Sequence, residues 1–68
     1  MTKRPKTLDD VDWERATDAF VKSARNMTMG EMLAYAEGAA RQLDREGQPD
    51  GARVYHQLAA VLRRRAAH

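Results

Sequence analysis

Thr28-Met29-Gly30-Glu31-Met32-Leu33-Ala34-Tyr35-Ala36-Glu37-Gly38-Ala39-Ala40-Arg41-Gln42-Leu43-Asp44-Arg45-Glu46-Gly47-Gln48-Pro49 carries a start signal, a period and a stop in one run. Thr28 followed three residues later by Glu31 is a capping box, in which hydroxyl and carboxylate each accept from a backbone N–H that the first turn leaves unpaired. Met29, Met32, Leu33, Ala36, Ala39, Ala40 and Leu43 then recur at helical spacing and occupy one face of a helix predicted over about 29–46. Three alanines in the middle of that stripe let a neighbouring backbone approach closely. Gly47 sits where a helix ends in left-handed backbone, and Pro49 marks a new start two residues on.

Toward the C-terminus, a third helix is predicted over about 50–66. Val54, Tyr55, Leu58, Val61, Leu62 and Ala66 lie on a stripe about 140° wide, and either Gln48 or Asp50 serves as its cap. Toward the N-terminus, Thr7 and Asp10 repeat the hydroxyl-to-acid spacing. The acids at 9, 10, 12 and 14 suit the positive end of a helix running from 8 or 9 to 25. Trp13, Ala16, Thr17, Phe20, Ala24 and Met27 share an arc of about 100° on it, with Val11 on the far side. The link between the first two helices is then two or three residues.

No segment alternates with period two, so no strand is expected. Good helix formers dominate, with twelve alanines among 68 residues. The fold class is all-α: a small three-helix bundle, or a helical hairpin plus a packed third helix. One domain spans 8–68, behind a flexible, disordered basic tail over 1–7. Gly47, Ala52 and Ala59 fall where small residues recur in one tetratricopeptide-repeat hairpin, whereas that pattern's aromatic and large apolar positions hold Ala36, Ala39 and His56. The resemblance covers about 30 residues, one repeat where about three are needed for stability. It implies hairpin packing of helices 2 and 3 and assigns no functional residue.

A domain of this length buries only about 60% of the surface its unfolded chain exposes, so its stability rests on a thin margin. With 43% hydrophobic and 32% charged residues, the chain is too apolar for a disordered tail and too polar for a membrane span. The absence of cysteine excludes disulfide scaffolds, thiolate metal sites and cysteine nucleophiles. The basic lead Met1 to Lys6 has no apolar run behind it, so a secretory signal is not expected and a cytoplasmic protein is.

Candidate chemistry is sparse. His56 is the only internal histidine, lacks a metal-ligand partner at helical spacing, and is expected on an outer face without acids. Ser23 is the only serine and has no histidine or lysine at a telling spacing. Asp9, Asp10, Asp12 and Glu14 lack the sharp glycine turn of a calcium loop, and none of the four glycines forms a phosphate cradle. No catalytic residue, metal, cofactor or small-molecule substrate is therefore inferred, and no enzyme is expected.

Charge is segregated. Residues 8–20 hold five acids against Arg15 and residues 27–50 five against Arg41 and Arg45, whereas from Gly51 onward there is only Arg53, Arg63, Arg64 and Arg65. Two binding functions follow as expectations. The leading one is a protein-interaction module or adaptor, self-associating as a homodimer through apolar surface that one copy cannot hide, chiefly Met32, Tyr55, Leu58 and Leu62. Acidic helices 1 and 2 and basic helix 3 would set its orientation. The alternative is a nucleic-acid-binding regulator using Lys3, Arg4 and Lys6 of the tail with Arg53, Arg63 and Arg64 on the outer face of helix 3. A plainer reading has Arg63, Arg64 and Arg65 complementing the negative C-terminus of helix 3, with the Arg65 stem lying past core residues. A helix-turn-helix is poorly matched, because helix 2 exposes mixed charges and the Gly47 to Gly51 connection is loose for a recognition turn.

Overall fold

A computed structural model describes residues 10–67 of the chain. Three helices follow one another, α1 (Trp13–Ser23), α2 (Met29–Arg45) and α3 (Pro49–Ala66), and no strand occurs among the described residues.

Both signals read around α2 are formed. Thr28 Oγ1 accepts from the Glu31 N–H at 3.1 Å, and Glu31 Oε1 accepts from the Thr28 N–H at 2.8 Å. At the other end the Gln48 N–H donates to the Leu43 carbonyl (2.9 Å) and the Gly47 N–H to that of Asp44 (3.2 Å), with Gly47 at φ +72°. This is a Schellman closure, and its left-handed residue is one that a side chain would strain. Pro49 opens α3 directly, and Gln48 caps it without a side-chain hydrogen bond. The Gln48 amide reaches back to Glu46 Oε1 instead, at 3.4 Å.

Helix α1 departs from expectation at both ends. Its cap is Asp12, whose carboxylate accepts from the Arg15 N–H at 3.2 Å. Asp12 is extended (φ −79°, ψ 96°), so no helix runs through it from residue 8. Asp10 stands before the helix, and Thr7 lies outside the described residues. Where several acids precede an apolar stripe, the one beside the first stripe residue, Trp13, takes the cap. At the far end Ser23 is the last helical residue and Ala24 the cap. The link therefore spans residues 24–28, because Thr28 must be extended (φ −74°, ψ 166°) to cap α2 and the chain has to turn before it. Met27 consequently lies in the link rather than on α1.

Packing is concentrated between α2 and α3. Met32, Ala36 and Ala40 of α2 and Ala52, Leu58, Ala59, Val61 and Leu62 of α3 form the apolar core. The small residues at 36, 40, 52 and 59 let the two backbones close in. The buried face of α3 accordingly reaches Ala52 and Ala59, outside the stripe drawn from the sequence, while Ala66 at its end is exposed. Thr17 is the one fully enclosed polar side chain among the described residues, and its hydroxyl donates to the Trp13 carbonyl one turn back at 2.7 Å.

Helix α1 rests chiefly on α3. Its first two turns meet the last turn of α3, where Arg65 Nη2 lies 2.9 Å from Asp18 Oδ1 and 3.4 Å from Glu14 Oε2. In an up-down-up bundle the first turn of α1 would lie beside the first turn of α3, a helix length of about 27 Å away. The architecture is the other one considered, a hairpin of α2 and α3 with a third helix laid on it. No described helix is long and apolar enough to cross a membrane.

Candidate interaction surface

One aromatic ring from each helix forms a row. Phe20 of α1 stacks on Tyr35 of α2 with centroids 6.1 Å apart at 29°, and Tyr35 meets Tyr55 of α3 edge-on at 6.1 Å and 68°. Both arrangements satisfy the preference of aromatic quadrupoles for offset or edge contact. Tyr35 is 53% exposed, the one large apolar side chain so exposed among the described residues. Phe20 and Tyr55 beside it are half-buried. Burial, and then the neighbouring Tyr35, raise the Tyr55 hydroxyl above the usual tyrosine pKa. One turn along α2, Gly38 leaves open space: a Cβ added there would meet nothing within 4 Å.

The four residues expected to supply surplus apolar surface divide. Met32 and Leu58 are each 6% exposed and Leu62 is fully enclosed, so all three belong to the interior of a single copy. Leu58 and Leu62 lie on α3, against which both α2 and α1 pack, and Met32 lies on the α2 face turned to α3. Tyr55 alone borders the exposed patch. Tyr35 and Phe20 were the residues missed as surface. Tyr35 lies just beyond the edge of the α2 stripe and Phe20 near the middle of the α1 stripe, and only their convergence with Tyr55 of the third helix makes a patch.

The basic residues of α3 face carboxylates of the same chain. Arg63 Nη2 lies 3.1 Å from Glu37 Oε1 on α2, and Arg64 Nη2 4.0 Å from Glu14 Oε1 on α1. Arg65, expected to run its stem past the core, reaches across to α1 and also donates to the Glu14 carbonyl at 3.2 Å. Its hydrogen bond to Asp18 is the main cause holding its pKa above the ordinary arginine value. Arg53 is exposed and is likewise engaged. Lys3, Arg4 and Lys6 lie outside the described residues. The sign asymmetry along the chain thus operates within the molecule, with acids of α1 and α2 set against arginines of α3.

His56 does find an acid, supplied by α2 rather than by its own helix. Its Nε2 lies 3.1 Å from Asp44 Oδ2, with both side chains more than half exposed, so the pair bridges the outside of the hairpin rather than lining a cleft. Among the described residues no three His, Asp or Glu side chains converge as metal ligands. An open depression of about 360 Å³ on the outer side of α1 is lined by Val11, Asp12, Arg15, Ala16 and Ala19, and the Asp12 carboxylate there is occupied as the helix cap.

Fold and surface together define a small all-α protein, a helical hairpin of α2 and α3 with α1 packed chiefly on α3 and an aromatic row contributed by all three helices. Comparison of the chain with models of known protein families, with curated proteins and with solved structures finds no match.

Proposed function

We propose that this chain is a small non-enzymatic interaction module that binds a second copy or another protein through the surface centred on Tyr35. The observation that carries the reading is a tyrosine 53% exposed in a domain that encloses its other large apolar side chains wholly or in part. Rigid rings with one apolar body and one polar tip are enriched at protein interfaces, because they supply contact area at little cost in side-chain entropy. Stacking on Phe20 and edge contact with Tyr55 orient Tyr35 in advance, and the space over Gly38 leaves room for an incoming side chain. A cytoplasmic setting accords with this reading, since the chain has no cysteine and small secreted domains commonly depend on disulfides.

The nucleic-acid alternative has no comparable support. Arg63 and Arg64 are matched by Glu37 and Glu14 of the same chain, and a phosphate would have to displace those carboxylates.

Two measurements test the proposal. Sedimentation of the full chain at micromolar concentration should show reversible association that Tyr35→Ser weakens while the far-ultraviolet spectrum is unchanged. A photo-reactive phenylalanine analogue at position 35 should cross-link a protein partner more than the same group at Ala19 on the outer side of α1. A strict monomer that cross-links no better from position 35 than from position 19 would sink the reading.

A further inference from the structure

We propose that α1 is a detachable latch: it leaves the α2–α3 hairpin as a unit before the rest of the molecule unfolds, and the grip of Arg65 on Glu14 and Asp18 sets how often it does so. The inference does not rest on binding through Tyr35, although release of α1 also parts Phe20 from Tyr35 and opens one end of the aromatic row. Four observations converge on it. The interior contribution of α1 is a single residue, Thr17, whose enclosed hydroxyl is satisfied within its own helix, whereas α2 and α3 enclose three and five side chains. Its larger apolar residues, Trp13, Phe20 and Val21, are only half-buried. The polar attachment is concentrated at one point, where Arg65 engages the Glu14 carbonyl, the Glu14 carboxylate and Asp18, with Arg64 alongside at 4.0 Å. Residues 24–28 form a turning link in which neither helix continues, closed by a turn bond from the Met27 N–H to the Ala24 carbonyl at 2.9 Å, so the hinge for α1 lies there.

At 11 residues, α1 is shorter than the 12–15 or so at which an isolated helix becomes even marginal in water. Undocking and melting of α1 are therefore one event. Release of α1 exposes its own half-buried Trp13, Phe20 and Val21. Because the carboxylates on α1 are well exposed, the grip is open to screening by salt.

Native-state amide exchange of the full chain, followed by NMR, tests this. The helical amides of α1 should exchange about tenfold or more faster than those at the centres of α2 and α3. Raising NaCl from ~0.1 to ~1 M shortens the screening length from about 10 to about 3 Å and should speed α1 about fivefold without a matching change in the hairpin. Arg65→Ala should reproduce that acceleration at low salt and shrink the response to salt to what the Arg64–Glu14 pair leaves. Asp18→Asn is the gentler version if Arg65→Ala folds poorly. Trp13, the only tryptophan, gives a second readout: its fluorescence should change at lower urea than the far-ultraviolet signal of the hairpin. Equal exchange in all three helices, coincident urea transitions, or variants that leave the ratio of α1 to hairpin rates unmoved would overturn the proposal.

Discussion

The ring of Tyr35 stands 6.1 Å from that of Tyr55 and nearly edge-on to it, so two ionisable hydroxyls share one small surface. Burial first, and Tyr35 second, raise the Tyr55 pKa above that of free tyrosine. In the unfolded chain Tyr55 loses its proton near the ordinary value of about 10, while in the fold it keeps it longer. Its contribution to stability is therefore complete below that pH and is lost as pH rises through the folded value. Alkaline titration by ultraviolet absorbance should show one tyrosine ionising late, and Tyr55→Phe should abolish the late step and soften the alkaline fall in stability. A Tyr55→Phe variant whose late step survives, or the absence of any late step, would refute the assignment.

At the start of α2 the sign is reversed. Donation from the Thr28 backbone N–H, then its side-chain contact, lowers the Glu31 pKa below 4.5. The capping carboxylate thus favours the fold above that pH, and its effect fades as pH falls through the folded value. Glu31→Gln should flatten the acid limb of a urea-midpoint profile while changing little at neutral pH, since an amide oxygen still accepts from Thr28. Thr28→Ala should cost about 1 kcal/mol near neutral pH and less once Glu31 is protonated.

Two glycines of α2 and its terminus should respond in opposite directions. Gly38 lies inside the helix with open space where a Cβ would go, so Gly38→Ala should stabilise by about 0.8–1 kcal/mol and raise Tm by roughly 4–8 °C. At Gly47, with φ +72°, alanine should destabilise by about 1–2 kcal/mol. Thermal unfolding of the pair distinguishes helix propensity from backbone conformation. A stabilising Gly47→Ala would contradict the helix closure described.

Leu62 and Tyr35 separate interior from surface. Leu62 is fully enclosed, and Leu62→Ala should cost about 2–5 kcal/mol. For a chain of this length the whole stability is about 3–10 kcal/mol, so that variant should lose a large share of it. Tyr35→Ser, at a site more than half open to solvent, should cost about 1 kcal/mol or less. Urea midpoints measure both, and a larger loss at Tyr35 than at Leu62 would invert the assignment of core and contact surface.

Much of α2 was legible because its signals are local. A capping box and a glycine closure involve residues three to five apart, and no distant element is needed to form them. The start of α1 was misread for the same reason: Thr7 to Asp10 and the isolated Asp12 both offer a cap, and a local rule has no means of choosing between them. His56 was placed on a face without acids because only its own helix was visible, while its partner Asp44 lies across the hairpin turn. The charge asymmetry was plain in the chain, but whether those charges meet an outside partner or one another depends on which faces come together.

Spacing, caps and breakers determined that this chain makes three helices and where the second begins and ends, since each is a property of one helix and its own backbone. The tertiary structure decided that Met32, Leu58 and Leu62 are interior, that Arg63 to Arg65 face carboxylates of the chain itself, and that the first turns of α1 lie against the last turn of α3. An apolar stripe states which side of a rod avoids water but not which other rod will cover it. That choice rests on how closely alanine-lined backbones can approach and on which long side chains then reach across, and neither is written in the periodicity of a single helix.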